Sequence, residues 1–340
     1  MTEMTEMAAR VAGRTSRWPL ACWYWGDAIA VDGLLAVDDA GLAPARGHVL
    51  ALLQRWLEFT PVAFSDVLAP GAAIVRLVGE GALSELALER FLDAVDRLPL
   101  LVDDVPVLEP HLARYRFGVC IDAVYHLPPA LAAAGRLRRD PALAERAVLI
   151  SRRVLDLLRC PGGWAQWFDV TRGRNNSVVW SRGVGWALLG ILDTVGLADG
   201  LVDPGPLNAL AEEMLELLDA TQDRSGHWTA VLGRPDLPLE MSVAPFYLAG
   251  ALHPQARAIP RGRDALGRAT RAFWDSLDAD GVLQGVSADV LPDWDPVSYE
   301  TFTVEPSPWG QGAALRALAA LSLAAEGQPL ATSAIPGLGS

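Results

Sequence analysis

The feature that most constrains this chain is a recurring kind of segment, a polar or aromatic head followed by a run that is apolar on every side. Its clearest example is Trp180-Ser-Arg-Gly-Val-Gly-Trp186, which continues through Ala187-Leu-Leu-Gly-Ile191 to Val195 without a turn signal. The same grammar opens with Cys22-Trp-Tyr-Trp-Gly-Asp27 before Ala28 to Ala36, and with Ser65-Asp-Val-Leu-Ala-Pro-Gly71 before Ala72 to Leu77. It returns with Cys120-Ile-Asp122 before a run to Ala134, Glu240-Met-Ser242 before a run to Leu252, and Pro308-Trp-Gly-Gln-Gly312 before Ala313 to Leu321. A helix that is apolar all round must be covered on every side. Between these runs lie stretches with ordinary amphipathic spacing, at 44–59, 83–98, 141–158, 207–218 and 263–277.

The heads recur at intervals of roughly 45 to 70 residues, which fits one helical hairpin per repeat. One buried and one amphipathic helix per unit predicts an inner ring wrapped by an outer ring. The expected fold is therefore all-α, an (α/α)6 barrel of six helical hairpins. An open solenoid would leave unexplained why every inner helix starts with cleft-like chemistry. Helix formation is expected from Trp18 to Asp38, then hairpin by hairpin to Ala325. The expected organisation is a polar, flexible tail over 1–17, a single catalytic domain over 18–326 and a C-terminal tail over 327–340. Strand signal is confined to Gly226 to Leu232 and Gly281 to Val286.

With 340 residues and 51% hydrophobic content, the chain can bury a large core and is far from a disordered composition. No apolar run reaches the roughly 18 residues of a spanning helix. The start, Met1-Thr-Glu-Met-Thr-Glu6, lacks the pattern of a secretory signal. A cytoplasmic protein without a membrane partner is expected. Three widely spaced cysteines, Cys22, Cys120 and Cys160, argue against a disulfide framework. Net charge is -13, and all 28 basic residues are arginines. That balance disfavours nucleic acid, whose phosphates need a basic face. It does not disfavour a small anionic molecule, because arginine grips a carboxylate with a two-pronged donor fork. Twelve tryptophans either fill the core or line a sugar-stacking cleft.

Asp122 heads an apolar run, where desolvation raises a carboxyl pKa and makes a general acid. It equally suits a helix N-cap, and the pattern leaves both roles open. Asp66 stands at the matching place one hairpin earlier. Two carboxyls in one cleft push each other's pKa values apart, giving one donor and one ionised partner. Arg182, between two tryptophans and two glycines, is expected to face substrate rather than solvent, with Trp180 or Trp186 lining the cleft. The histidines show no metal spacing, so no metal is expected. Gly310-Gln-Gly312 follows no strand, so it marks close helix packing rather than a nucleotide cofactor, and no cofactor is expected.

These residues resemble the unsaturated glucuronyl and rhamnogalacturonyl hydrolases, glycoside hydrolase families 88 and 105, over nearly the full length. Trp180 to Trp186 is similar to the family's W-x-R-G-N-G-W, and Ile121-Asp-Ala-Val-Tyr125 to its V-D-x-L-F/Y. Phe64 to Gly71 looks like the segment of its second active-site aspartate, and Gln222 to Trp228, Leu239 to Ser242 and Asp280-Gly281 are similar to other landmarks. The resemblance implies an (α/α)6 barrel that hydrates a 4,5-unsaturated uronic acid at the non-reducing end of a small carbohydrate. An aspartic acid protonates the vinyl ether, water adds at C5, and the hemiketal collapses to release the sugar. Carried over, Asp122 is the proton donor and then the base for water, and Asp66 its partner. Arg182, Trp180, Trp186, Gln166, Trp25 and Trp309 would hold the substrate. Three positions depart from the pattern: Val184 replaces the asparagine, the Trp164 to Asp169 stretch lacks the usual histidine, whose place falls to Gln166 or Trp164, and Trp309 replaces another. All three make the expected pocket less polar.

Overall fold

The computed structural model describes residues 3–20, 25–59, 70–98, 100–102, 105–106, 117–259 and 263–326. Its helices are α1 (Glu3–Ser16), α2 (Trp25–Asp39), α3 (Arg46–Phe59), α4 (Gly71–Gly79), α5 (Glu85–Asp96), α6 (Ala123–His126) and α7 (Pro128–Arg138). They continue as α8 (Pro141–Leu158), α9 (Ser181–Ala198), α10 (Gly205–Thr221), α11 (Val243–Ala251), α12 (Arg263–Asp275) and α13 (Pro308–Ala325). The apolar runs form the inner ring: α2, α4, α6 with α7, α9, α11 and α13. In α9 every residue but Asp193 is buried, and α11 is buried throughout. The amphipathic helices α3, α5, α8, α10 and α12 lie outside. In α8 the buried positions Ala144, Ala147, Ile150, Ser151, Val154, Leu155 and Leu158 form one stripe. Helix starts follow local chemistry. Asp140 caps α8 by accepting from the Ala142 N–H, and Ser307 caps α13 by accepting from the Gly310 N–H.

The ring closes where α13 packs on α2. A Cβ on Gly33 would stand 2.5 Å from the Gly312 carbonyl oxygen, and one on Gly312 would stand 2.4 Å from the Ile29 backbone. The two helices therefore meet backbone to backbone, as the small residues of Gly310-Gln-Gly312 suggested. At the C-terminal ends of α2 and α4, Arg46 reaches Asp38 (3.2 Å), Asp39 (2.7 Å) and Glu80, while Arg76 reaches Asp39 (2.5 Å) and Glu80 (2.9 Å). This ion-pair web joins α2, α3 and α4 at the end of the barrel away from the segment heads.

Three sequence expectations change. Residues 3–16 are not a frayed tail: α1 packs against α13 and α2, burying Ala8, Val11, Ala12 and Thr15. It is the outer partner that α13 otherwise lacks, so the chain begins with the helix that completes its last hairpin. The run from Ile121 to Ala134 is not one helix but two, broken at Leu127 where Pro128 and Pro129 remove two donors. Helix α2 starts at Trp25 rather than Trp18. Of the two strand signals, Trp228–Thr229 pairs with Leu239–Glu240, while the second gives an isolated bridge from Leu283 to Leu277. The proposed tail over 327–340 lies outside the described residues.

Gly312→Ala separates close packing from helix propensity. Propensity alone would stabilise α13 by up to ~1 kcal/mol. The closed ring instead predicts a loss of about 1–3 kcal/mol from overpacking, read by urea unfolding. A variant as stable as the parent would contradict backbone contact at this crossing.

Candidate active site

Among the described residues, the starts of α2, α6, α9, α11 and α13 meet at one end of the barrel. Asp122 sits at the N-terminus of α6, directly after the strand Gly118–Cys120, and is half-buried. The strand pairs with Trp167–Asp169, and the Ile121 N–H donates to the Gln166 carbonyl at 3.0 Å. Of the two roles left open by the sequence, capping in its usual form is absent, because the Asp122 side chain makes no cap hydrogen bond. Its Oδ2 instead accepts from the Cys120 thiol at 3.5 Å. Gly183 of the Trp180–Trp186 motif and Gly190 about two turns later bring α9 up to the Ile121–Tyr125 segment. A Cβ on Gly183 would stand 2.6 Å from Ile121 Cγ2, and one on Gly190 would stand 2.2 Å from the Val124 carbonyl oxygen. Asp66, the expected partner, lies outside the described residues.

The tryptophans gather as expected, but mostly within the wall. Trp25 packs on Trp309 (4.6 Å between centroids) and edge-on to Trp186 (6.2 Å). Trp186 in turn meets Tyr125, His126 and Phe246. Trp186 is wholly buried and Trp180 and Trp309 nearly so, which leaves half-buried Trp25 as the one partly accessible ring among these four.

Arg182 corrects the sequence reading most sharply. Its side chain has 0% exposure, so it is buried within the wall rather than open to a cleft. Nη1 donates to the Ser287 carbonyl and hydroxyl, both at 2.7 Å, and Nη2 to the Ala288 carbonyl at 2.9 Å. The guanidinium also pairs with Glu240 at 3.4 Å and lies over the rings of Trp180 and Trp309. Glu240, also at 0% exposure, accepts from the Ser242 N–H (3.0 Å) and hydroxyl (2.7 Å) and from the Ser287 hydroxyl. Trp309 Nε1 donates to the Ser287 carbonyl at 3.2 Å. Gln166 is occupied in the same way: Nε2 donates to the Val290 carbonyl at 2.9 Å, and Oε1 accepts from the Tyr299 hydroxyl. The segment from Ser287 to Val290 is thus tied to Arg182, Trp309 and Gln166 by hydrogen bonds to its backbone.

A second polar group, which the sequence reading missed, lies further along the inner helices. Tyr125, one turn after Asp122, donates from its hydroxyl to Asp32 Oδ2 at 2.6 Å and accepts from Arg316 at 3.1 Å. Arg316 grips Asp193 with two nitrogens at 2.8 and 2.9 Å, and His253 meets the same carboxylate at 3.3 Å. Burial pushes the Asp32 carboxyl up to about 6, against the opposing pull of Arg316. Asp193 moves the other way: Arg316 and His253 hold it well below the usual carboxylate range despite its burial. Burial brings His126 down to about 3, so it is a neutral ring against Trp186. The available signal was a single charge inside each of three apolar runs: Asp32, Asp193 and Arg316. Helix α6 has only four residues and no cap bond, so the Tyr125 hydroxyl, held from α2 and α13, anchors the helix that carries Asp122.

Comparison with known proteins agrees with this architecture. The sequence model of Glycosyl Hydrolase Family 88 matches residues 163–323. The chain is 22% identical over 333 residues to the unsaturated rhamnogalacturonyl hydrolase YesR of Bacillus subtilis, covering 93% of this chain and 94% of that protein. A Salmonella enterica structure described as a possible member of the GH105 family superposes with a TM-score of 0.84 at 17% identity, over 95% of this chain and 94% of the other. The unsaturated glucuronyl hydrolase of Bacillus sp. GL1 does so with a TM-score of 0.68 at 17% identity, over 93% and 94%. The helical-barrel fold is shared with the two solved structures.

Two measurements check the polar groups. Glu240→Gln strands the buried Arg182 charge and should destabilise the protein by about 3–5 kcal/mol in urea unfolding; a loss under about 1 kcal/mol would contradict the clamp. Asp32 holds its proton more tightly in the folded state, at about 6 against 3.8, so its unfavourable contribution is absent below about pH 4 and complete above about pH 6. Asp32→Asn should therefore stabilise the protein by on the order of 2 kcal/mol at pH 7.5, and by nearly nothing at pH 4. An equal effect at both pH values would contradict a raised Asp32 pKa.

Proposed function

We propose that this chain, a relative of the family 88 and 105 glycosidases, removes a 4,5-unsaturated uronic acid from the non-reducing end of small lyase-derived oligosaccharides. The single observation that carries the reading is Asp122: a half-buried carboxyl at the mouth of the inner ring whose side chain does not cap its own helix. Its place in Ile121-Asp-Ala-Val-Tyr125, the match of residues 163–323 to family 88, and the likeness to an unsaturated rhamnogalacturonyl hydrolase support the same conclusion.

In this reading Asp122 delivers its proton to C4 of the vinyl ether, and positive charge develops at C5. Water adds at C5 and gives its proton back to Asp122, which is restored as an acid. The C5 hemiketal opens to a ketone. The remaining hemiacetal at C1 then expels the aglycone as an alcohol. Each proton that leaves the carboxyl returns to it, so the step needs no covalent sugar–enzyme bond. Asp66 is assigned the partner role on the resemblance alone. Trp25 is the ring best placed to meet the sugar, because Trp180, Trp186 and Trp309 are taken up in the wall and Arg182 in the clamp. The substitutions Val184, Gln166 and Trp309 then alter packing behind the site and leave the reacting carboxyl in place. The same partition supports a substrate whose carboxylate is not gripped by Arg182.

Asp122→Asn should reduce the loss of ultraviolet absorbance from an unsaturated disaccharide by roughly 100-fold or more, with circular dichroism and melting temperature unchanged. Turnover near the parent rate in that variant would remove Asp122 from the chemistry.

A further inference from the structure

The small sheet that leads into Asp122 carries an exposed cluster that the reaction at Asp122 does not use. The strand Trp167–Asp169 pairs on one side with Gly118–Cys120 and on the other with Arg174–Asn175. At the outer end of this small sheet, the guanidinium groups of Arg172 and Arg174 lie 4.6 and 4.9 Å from the centre of the Trp294 ring. Both arginines are exposed. Arg172 has Asp169 at 3.5 Å, whereas Arg174 makes no ion pair among the described residues. On the neighbouring strand end is Phe117, 44% exposed, and three residues before Trp294 in the chain is Leu291, 48% exposed. The Val170 N–H donates to the Phe117 carbonyl at 2.9 Å, which fixes this edge to the turn that bears Arg172. Trp294 is held from the other side, because Asn176 Nδ2 donates to the Asp293 carbonyl at 2.7 Å.

The cluster lies on the same small sheet as the strand that leads into Asp122. Gly118 is four residues before Asp122, about 13 Å along an extended chain, and Arg174 is two strands further out, about 10 Å sideways. That is too far for the sugar ring under attack and suitable for a ring further along the same chain. The composition is also telling. In a protein of net charge -13 an acidic polymer is repelled in general, so two neighbouring arginines with exposed aromatic surface supply local attraction that the rest of the surface opposes. Arginine pairs with carboxylates through its fork, and flat apolar surface suits the faces of sugar rings.

We propose that Arg172, Arg174 and Trp294, flanked by Phe117 and Leu291, form a subsite for the aglycone, which takes a second uronate carboxylate at least one ring removed from the scissile bond. The inference rests on the proposed reaction and extends it: substrates longer than a disaccharide, with a second acidic residue, are held better than disaccharides. The competing explanation is purely structural, the arginines serving only to staple the Trp294 segment to the sheet.

The test compares an unsaturated galacturonyl-rhamnose disaccharide with the tetrasaccharide that contains a second galacturonate. Affinity is read by calorimetry on full-length Asp122→Asn, in which the saccharides are not consumed, with and without Arg172→Gln and Arg174→Gln. The Asp122→Asn protein is expected to bind the tetrasaccharide about five- to tenfold more tightly than the disaccharide, from two exposed charge contacts. The two glutamine changes should bring that ratio close to one, and 0.5 M salt should do the same in the protein that keeps both arginines. A ratio unaffected by the double change, a ratio already near one before it, or a preference insensitive to salt would overturn the subsite. Turnover of the disaccharide by the wild-type chain is measured separately, so a failed reaction and a failed subsite give different results.

Discussion

The contact on which the rest of the structure depends is the buried pairing of Arg182 with Glu240 and the Ser287 to Ala288 backbone. Removing a guanidinium and a carboxylate from water is expensive, and such a pair persists only when its remaining donors and acceptors are satisfied. Here two serine hydroxyls and two carbonyls meet the terminal guanidinium nitrogens and the carboxylate, with tryptophan rings above the guanidinium. Three segments far apart in sequence are thereby fixed to one another: the start of α9, the approach to α11 and the segment before α13. The geometry of the mouth follows from that clamp, including which rings are wall and which remain accessible.

Beneath the clamp, the inner ring carries charge where its sequence is otherwise apolar. Asp32, Asp193 and Arg316 each interrupt a run of small and aliphatic residues, and together they hold the Tyr125 hydroxyl. A short helix broken by two prolines cannot hold its own orientation. Anchored from α2 and α13, α6 presents Asp122 in a defined place, so this network links barrel packing to the proposed chemistry. Opposite shifts of Asp32 and Asp193 divide the charge, with one carboxyl drawn toward neutrality and the other kept ionised by Arg316.

Much of the barrel was legible in the sequence, because all-round apolarity and amphipathic stripes are local patterns. The inner and outer helices from α2 to α13 could be read in order, and the glycines of the α13 head pointed to close packing. Helix α1 was missed because its buried stripe, Ala8, Val11, Ala12 and Thr15, is made of small side chains among charges. The site was legible only in part. Gathering tryptophans and an aspartate at the inner-helix heads follows from the repeat. That Arg182 is buried does not, because its partners are 58 and 105 residues away, and no local pattern records such a contact. The double proline at 128–129 was visible, yet its effect depended on whether the surrounding ring would tolerate a break.

The central claim is that protonation at C4 and water addition at C5, carried out at Asp122, release the sugar. Hydrolysis of an unsaturated disaccharide in 18O-labelled water, with the product trapped at once by borohydride, tests it most directly. The account predicts the label at C5 of the uronate and none at C1, with labelling lost along with turnover in Asp122→Asn. Label at C1 would mean ordinary cleavage of the glycosidic bond, and would contradict the account.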